Sequence, residues 1–124
     1  MKVNEAITKA MTYKEGYEYT FEQMFGWLVA CEQMLWDQFI SRYSDAPERP
    51  HYDAVTDGNT DLMIPDPYSE LYIHYLAGQM CYWNRETTGY VNAKEQYETM
   101  LNRYMALYMR DHTHLCNTTI KGAI

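Results

Sequence analysis

Thr20-Phe21-Glu22-Gln23-Met24-Phe25-Gly26-Trp27-Leu28-Val29-Ala30-Cys31-Glu32-Gln33-Met34-Leu35-Trp36-Asp37-Gln38-Phe39-Ile40 decides the fold of this chain. Thr20 and Gln23 form a candidate capping box: the Thr hydroxyl accepts an amide three residues on, and the Gln side chain reaches back to the Thr amide. Phe21, Met24, Phe25, Leu28, Cys31, Leu35 and Phe39 then recur at helical spacing. Trp27, Met34, Trp36 and Ile40 carry apolar surface past that stripe, so this helix has to be covered on more than one side. Ser44-Asp45-Ala46-Pro47 ends it.

Upstream, Val3, Ala6, Ile7, Ala10 and Met11 share one face of a short helix over 3–11, with Asn4 a candidate N-cap. Residues 12–19, with Gly16, read as a connection. Downstream, 44–67 holds all four prolines of the chain and a Thr56-Asp57-Gly58-Asn59-Thr60 turn. That turn, between 51–55 and 62–64, suits either a β-hairpin arm or an irregular loop, and both readings stay open. Asp66-Pro67 is expected to open the third helix, with Asp capping and Pro at the first helical position. Tyr68, Leu71, Tyr72, Tyr75, Leu76, Met80 and Trp83 line it, within a charge-free run over 71–84, and Thr87-Thr88-Gly89 is expected to break it. A fourth helix carries Tyr90, Ala93, Tyr97, Met100, Leu101, Tyr104, Leu107 and Tyr108 on one face and Lys94, Glu95, Glu98, Asn102 and Arg103 on the other. After Arg110 the pattern fades. The expectation is an all-α protein: a small bundle of three to four core helices over 1–110, a long acidic loop or hairpin arm over 44–67, and an extended C-terminal tail over 111–124.

Composition sets the outer bounds. A chain of 124 residues, 47% hydrophobic and 22% charged, suits one folded domain. No apolar run approaches the roughly 20 residues of a membrane span, and the first residues lack the apolar core of a secretory signal. Cys31, Cys81 and Cys116 are an odd, scattered set with no Cys-x-x-Cys spacing, which points to reduced folding in a cytosol. The net charge of −7 is concentrated: 43–70 holds seven acids against Arg49 alone. A chain so poor in clustered Lys and Arg is not built to grip phosphates.

Chemistry-bearing motifs are sparse. The only Glu-x-x-His, Glu48 to His51, contains Pro50 and sits in the loop. Glu70 and His74 are spaced as an ordinary i,i+4 polar pair. His112, His114 and Cys116 alternate in the tail, without the fourth ligand a zinc site needs. A nucleophile elbow and a glycine-rich phosphate loop are both missing, and Cys31 and Cys81 fall in apolar runs where cysteine acts as a small hydrophobe. No catalytic residue, metal ligand or cofactor is assigned. A small metal enzyme built on Glu70 and His74, or on the tail cluster, and a generic helical interaction module are the alternatives. Thirteen Tyr against three Phe is the stronger signal, because Tyr combines apolar area with a polar handle and is enriched at interfaces. Tyr72, Tyr75, Tyr82, Tyr97, Tyr104 and Tyr108 are therefore candidate subunit-interface residues, and Trp83 is expected to be core if it is buried.

Taken in order, Val3-Asn4-Glu5-Ala6, then Trp27 and Cys31-Glu32-Gln33-Met34-Leu35-Trp36, then Thr60-Asp61-Leu62-Met63-Ile64-Pro65-Asp66-Pro67-Tyr68, then Glu70-Leu71-Tyr72-Ile73-His74-Tyr75-Leu76 and Tyr90-Val91-Asn92-Ala93, the chain resembles the head–tail connector (adaptor, or head-completion) proteins of long-tailed bacteriophages and prophages. Many relatives carry Tyr-Asn-Asn where this chain has Tyr90-Val91-Asn92. The resemblance implies a non-enzymatic virion protein of the phage neck, assembled in the host bacterial cytoplasm. Its partners would be further copies of itself in a ring (typically twelve), the portal protein ring above and a stopper or tail-completion protein below. DNA would pass through the channel without specific binding, and no membrane is involved. It also implies that 111–124 docks into the portal, with His112, His114, Leu115, Ile120 and Ile124 as contact points. Under that reading Asp53, Asp57 and Asp61 are candidates to face the channel, where carboxylates repel phosphates.

Overall fold

A computed structural model describes residues 1–13, 18–54 and 56–112. They form four helices, α1 (Val3–Tyr13), α2 (Phe21–Gln38), α3 (Glu70–Trp83) and α4 (Thr87–Asp111), with no strand among the described residues. The all-α expectation holds.

The Thr20 capping box at the start of α2 is complete, with Gln23 N–H donating to the Thr20 hydroxyl at 3.1 Å and Thr20 N–H to Gln23 Oε1 at 2.9 Å. Met24, Leu28, Cys31 and Leu35 bury one stripe of the helix, each large side chain contributing about 1.5–3 kcal/mol through lost apolar contact with water. A 3-10 turn, Ile40–Arg42, follows the α-helix and brings the chain out at Tyr43.

α3 is the central element. Leu71, Tyr72, Ile73, Leu76, Ala77, Gly78, Met80 and Cys81 are buried all round it, as a helix without a polar face requires. It packs most extensively on α4 and also touches α1 and α2. Gly78 faces Ala93 of α4, where a Cβ would meet the Ala93 Cβ at an ordinary contact of 3.5 Å.

The segment between α2 and α3 is where expectation and structure part. No hairpin forms. The 58–62 backbone turns instead to the start of α1: Val3 N–H donates to Thr60 O at 3.1 Å, Asn4 N–H to Gly58 O at 2.9 Å, and Leu62 N–H to Met1 O at 2.8 Å. A helix start has amides with no partner of their own, and satisfying them outweighs a two-stranded ribbon that is marginal alone. Asn4 is thus inside the first turn rather than its cap, while Glu5 reaches back to the Lys2 amide at 3.2 Å.

Two other boundaries move. Asp66 and Pro67, joined by a cis peptide, belong to a turn over 66–69, where the Ser69 hydroxyl bonds the Asp66 carboxylate. α3 starts only at Glu70. The break before α4 falls at 84–86, so Thr87-Thr88-Gly89 is its first turn rather than a breaker. Arg85 adopts φ of 59°, and the Arg85 and Glu86 amides close on Tyr82 O at 3.1 Å and Cys81 O at 2.9 Å. That is the Schellman termination, with Arg where glycine is usual.

Candidate functional site

The six tyrosines marked as interface candidates separate into two groups. Tyr72 is wholly buried, and Tyr104 and Tyr108 are nearly so, packed edge-to-face with Phe39 and Tyr43 where α4 meets the end of α2. These three are corrected to core residues: α3 is enclosed by its neighbours, and the last turns of α4 pack on Phe39 and Tyr43. Tyr75 and Tyr97 are half-buried and 5.5 Å apart across the α3–α4 seam. Tyr82 alone is openly exposed, at 57%.

Beside it Trp83, which closes the apolar line read for the third helix, is 59% exposed. The α3 end passes beyond the helices that would cover it, so only its edge is shielded, in a groove shared with Tyr19, Gln23 and Trp27. Tyr19 fastens this corner by donating its hydroxyl to Asn84 Oδ1 at 2.8 Å and stacking edge-on against Trp27. Phe21 and Val91 add exposed apolar surface at the neighbouring helix starts. The α3–α4 corner therefore presents Tyr, Trp and Arg85 on a rigid turn, the residue types that dominate binding energy at interfaces.

The acidic segment is more tightly organised than a solvated run. Asp53 and Asp61 are exposed and Asp57 is half-buried. The Asp57 carboxylate accepts the Asp53 amide at 2.6 Å, the Asp53 carboxylate accepts the Thr56 amide at 3.2 Å, and Asp61 lies 3.6 Å from Lys2. Over 47–50 the chain lies along α2, with Trp36 Nε1–H donating to Pro47 O at 2.8 Å and Gln33 Nε2–H to Pro50 O at 3.3 Å. Arg49 forks onto Asp37 at 2.9 and 3.0 Å and holds that carboxyl below its usual range. This is the second cover that the apolar breadth of α2 demanded.

The residue that holds the segment was not singled out from sequence. Glu32 has no exposed surface. It accepts the Tyr72 hydroxyl on Oε1, and on Oε2 the Tyr52 hydroxyl at 2.8 Å and the Met63 amide at 2.9 Å. Tyr72 in turn accepts the Ile64 amide at 3.0 Å. One carboxylate thereby joins α2, α3 and both limbs of the loop. Burial raises its pKa, and the Tyr72, Met63 and Tyr52 bonds oppose that rise. The available signal was its position: Glu32 falls four after Leu28 and three before Leu35, on the buried stripe.

Of the tail, Asp111 ends α4, and His112 alone of the docking candidates is described. It stacks on Tyr108 with ring centroids 3.7 Å apart and bonds Asp45 Oδ2 at 2.5 Å. Its ring is engaged within the chain. His114, Leu115, Ile120 and Ile124 lie outside the described residues, as does Cys116. Among the described residues no group of three ligating side chains converges. Glu70 and His74 stay an isolated pair, with burial lowering the His74 pKa against the pull of Glu70. Cys31 is buried beside the Tyr97 hydroxyl at 4.0 Å, and burial pushes its thiol pKa up, the opposite of an activated nucleophile. No described helix is long and apolar enough to cross a membrane.

Comparison with known families, curated proteins and solved structures returns no match to this chain.

Proposed function

We propose that this chain is a ring subunit of a bacteriophage neck, an adaptor that joins the portal ring to the stopper or tail-completion protein and extends the channel through which DNA passes. The observation that carries the proposal is the α3–α4 corner. Tyr82 and Trp83 are adjacent and more than half exposed at the end of α3, next to a turn fixed by hydrogen bonds, and contiguous exposed aromatics mark interaction surfaces. The burial of Tyr72, Tyr104 and Tyr108 narrows the interface surface without removing it.

Two further features support the reading. The order of elements follows the resemblance stated above, from the short first helix through the proline-bearing loop. The loop also displays carboxylates, in a chain of net charge −7, where a passing polyanion would need not to be held. The neck location and the copy number come from the resemblance alone.

Purified chain mixed with the portal ring encoded in the same genome tests the proposal, by size-exclusion chromatography with light scattering. Multiple copies co-eluting with the ring are expected. A portal peak whose mass does not change overturns the reading.

A further inference from the structure

α2 carries two pairs of Gln and Trp, Gln33 with Trp36 and Gln23 with Trp27. The chain itself occupies the first pair. Trp36 Nε1–H donates to Pro47 O at 2.8 Å and Gln33 Nε2–H to Pro50 O at 3.3 Å, so the two side chains take the carbonyls at either end of Pro47-Glu48-Arg49-Pro50. Residues 46–50 form neither helix nor turn, since proline fixes its own φ and keeps the residue before it extended. Between the prolines, Arg49 forks onto Asp37 of the same helix.

The second pair is open. Gln23 and Trp27 line a groove of about 450 Å³ together with Tyr19 and Trp83. The Thr20 cap uses Gln23 Oε1, which leaves the amide N–H₂ as the group this side chain can offer. Neither that N–H₂ nor the indole N–H of Trp27 or Trp83 donates a hydrogen bond among the described residues. Glu18 and Glu22 are exposed and precede Tyr19 and Gln23 directly. Arg85 lines a separate hollow with Tyr82 and Tyr90.

We infer that this groove receives an extended, proline-bearing segment of another protein, with a basic residue between its prolines, as Gln33 and Trp36 hold 47–50. Proline-rich segments dock on aromatic-lined grooves because their extended helix is preformed and its carbonyls are unpaired. Here three rings supply the faces, and the Gln23 amide and two indoles supply the donors. Glu18 and Glu22 do for the incoming basic residue what Asp37 does for Arg49. The pair spacing is four residues instead of three, and Trp83 of α3 adds the second indole. A second copy of this chain is not the source: its prolines are built into its own fold, at 47–50 and in the turn at 65–69. The inference stands on α2 and its groove and does not depend on the neck reading.

The test is an NMR titration of the ¹⁵N-labelled full chain with the synthetic peptide Pro-Pro-Ala-Arg-Pro-Pro-Ala-Arg-Pro-Pro, read at the three tryptophan indole signals after assignment by substitution. The Trp27 and Trp83 signals are expected to move and saturate, while Trp36, already bonded to Pro47 O, stays in place. Peptides with Gly for every Pro, or Glu for each Arg, should bind about tenfold more weakly or worse, and so should the first peptide on Trp83→Ala. No saturable shift, equal binding of either altered peptide, or indifference to Trp83→Ala overturns the inference. So does movement of Trp36 alone, which would mean that the peptide only displaces the chain's own segment. Shifts of Trp27 and Trp83 with protein concentration, in the absence of peptide, would place a second copy in the groove and overturn it as well.

Discussion

Glu32 is a carboxylate in the core with phenols and an amide around it and no cation among its hydrogen-bond partners. Removing it orphans the buried Tyr72 hydroxyl and the part-buried Tyr52 hydroxyl and Met63 amide, at about 1–3 kcal/mol for a buried donor, so Glu32→Ala should lower stability by roughly 3 kcal/mol in chemical denaturation. Glu32→Gln keeps the volume and one acceptor but turns an amide toward Tyr72, and about 1–2 kcal/mol is expected. The pH dependence has a definite sign. Burial raises the folded pKa of Glu32 above its unfolded value, so the folded state holds this proton more tightly. Its contribution is fully present below the ordinary carboxylate value near 4.3. It is lost as pH climbs through the raised one. The stability of the natural chain minus that of Glu32→Gln should therefore fall with rising pH above about 4.3; a difference that rises instead would contradict the raised pKa. What sequence could reveal at this scale followed separation along the chain. Thr20 and Gln23 were legible as a cap because the partners are three residues apart. Glu32 was not, because its partners lie 20, 31 and 40 residues away.

Two glycines show how helical elements respond to their surroundings. Gly26 lies inside α2 with nothing within 4 Å of a Cβ built on it, so Gly26→Ala should stabilise by about 0.5–1 kcal/mol through helix propensity alone. Gly89, in the first turn of α4, would place a Cβ 2.8 Å from Cys81 Sγ. Gly89→Ala should therefore destabilise by about 1–3 kcal/mol, and adding Cys81→Ala should restore part of the loss; thermal melts of the three variants against the natural chain check both signs. Gly89 also explains a sequence-level error. In Thr87-Thr88-Gly89 the glycine read as punctuation, but it serves a close approach between α3 and α4. The true stop is Arg85 at positive φ, a conformation that costs a non-glycine residue about 1–2 kcal/mol and that residue type did not announce. Helix interiors were legible because four stripes repeat at helical spacing. Ends set by short turns whose residue types do not announce them, before Glu70 and at 84–86, were not.

Across the whole molecule, apolar breadth on α2 correctly required two covers, yet nothing local said that the second would be the acidic loop clasped by Glu32, Gln33 and Trp36. The same gap in information misplaced the tyrosines: helical periodicity tells which face a ring is on, not whether another element reaches far enough to cover it. Tyr104 and Tyr108 are covered because Phe39 and Tyr43, on either side of the 3-10 turn, pack edge-on against them, whereas Trp83 is left largely open at the end of α3. Trp83→Ala should accordingly cost less than about 1 kcal/mol, as surface positions do, where a buried Trp would cost about 3–5. The tail gives the converse case, a change that should touch assembly and spare the fold. Every residue of the core cluster lies at or before Tyr108, and His112 closes the end of α4 through Tyr108 and Asp45. Deleting residues 117–124 removes Ile120 and Ile124 but none of those contacts. Helical circular dichroism and melting temperature should stay at the natural values, while attachment to the portal ring, measured by co-elution, should weaken about tenfold or more if the two isoleucines act as buried anchors there. A collapsed helical signal would instead make the tail part of the fold, and unchanged co-elution would move the portal contact to another surface of the helical body.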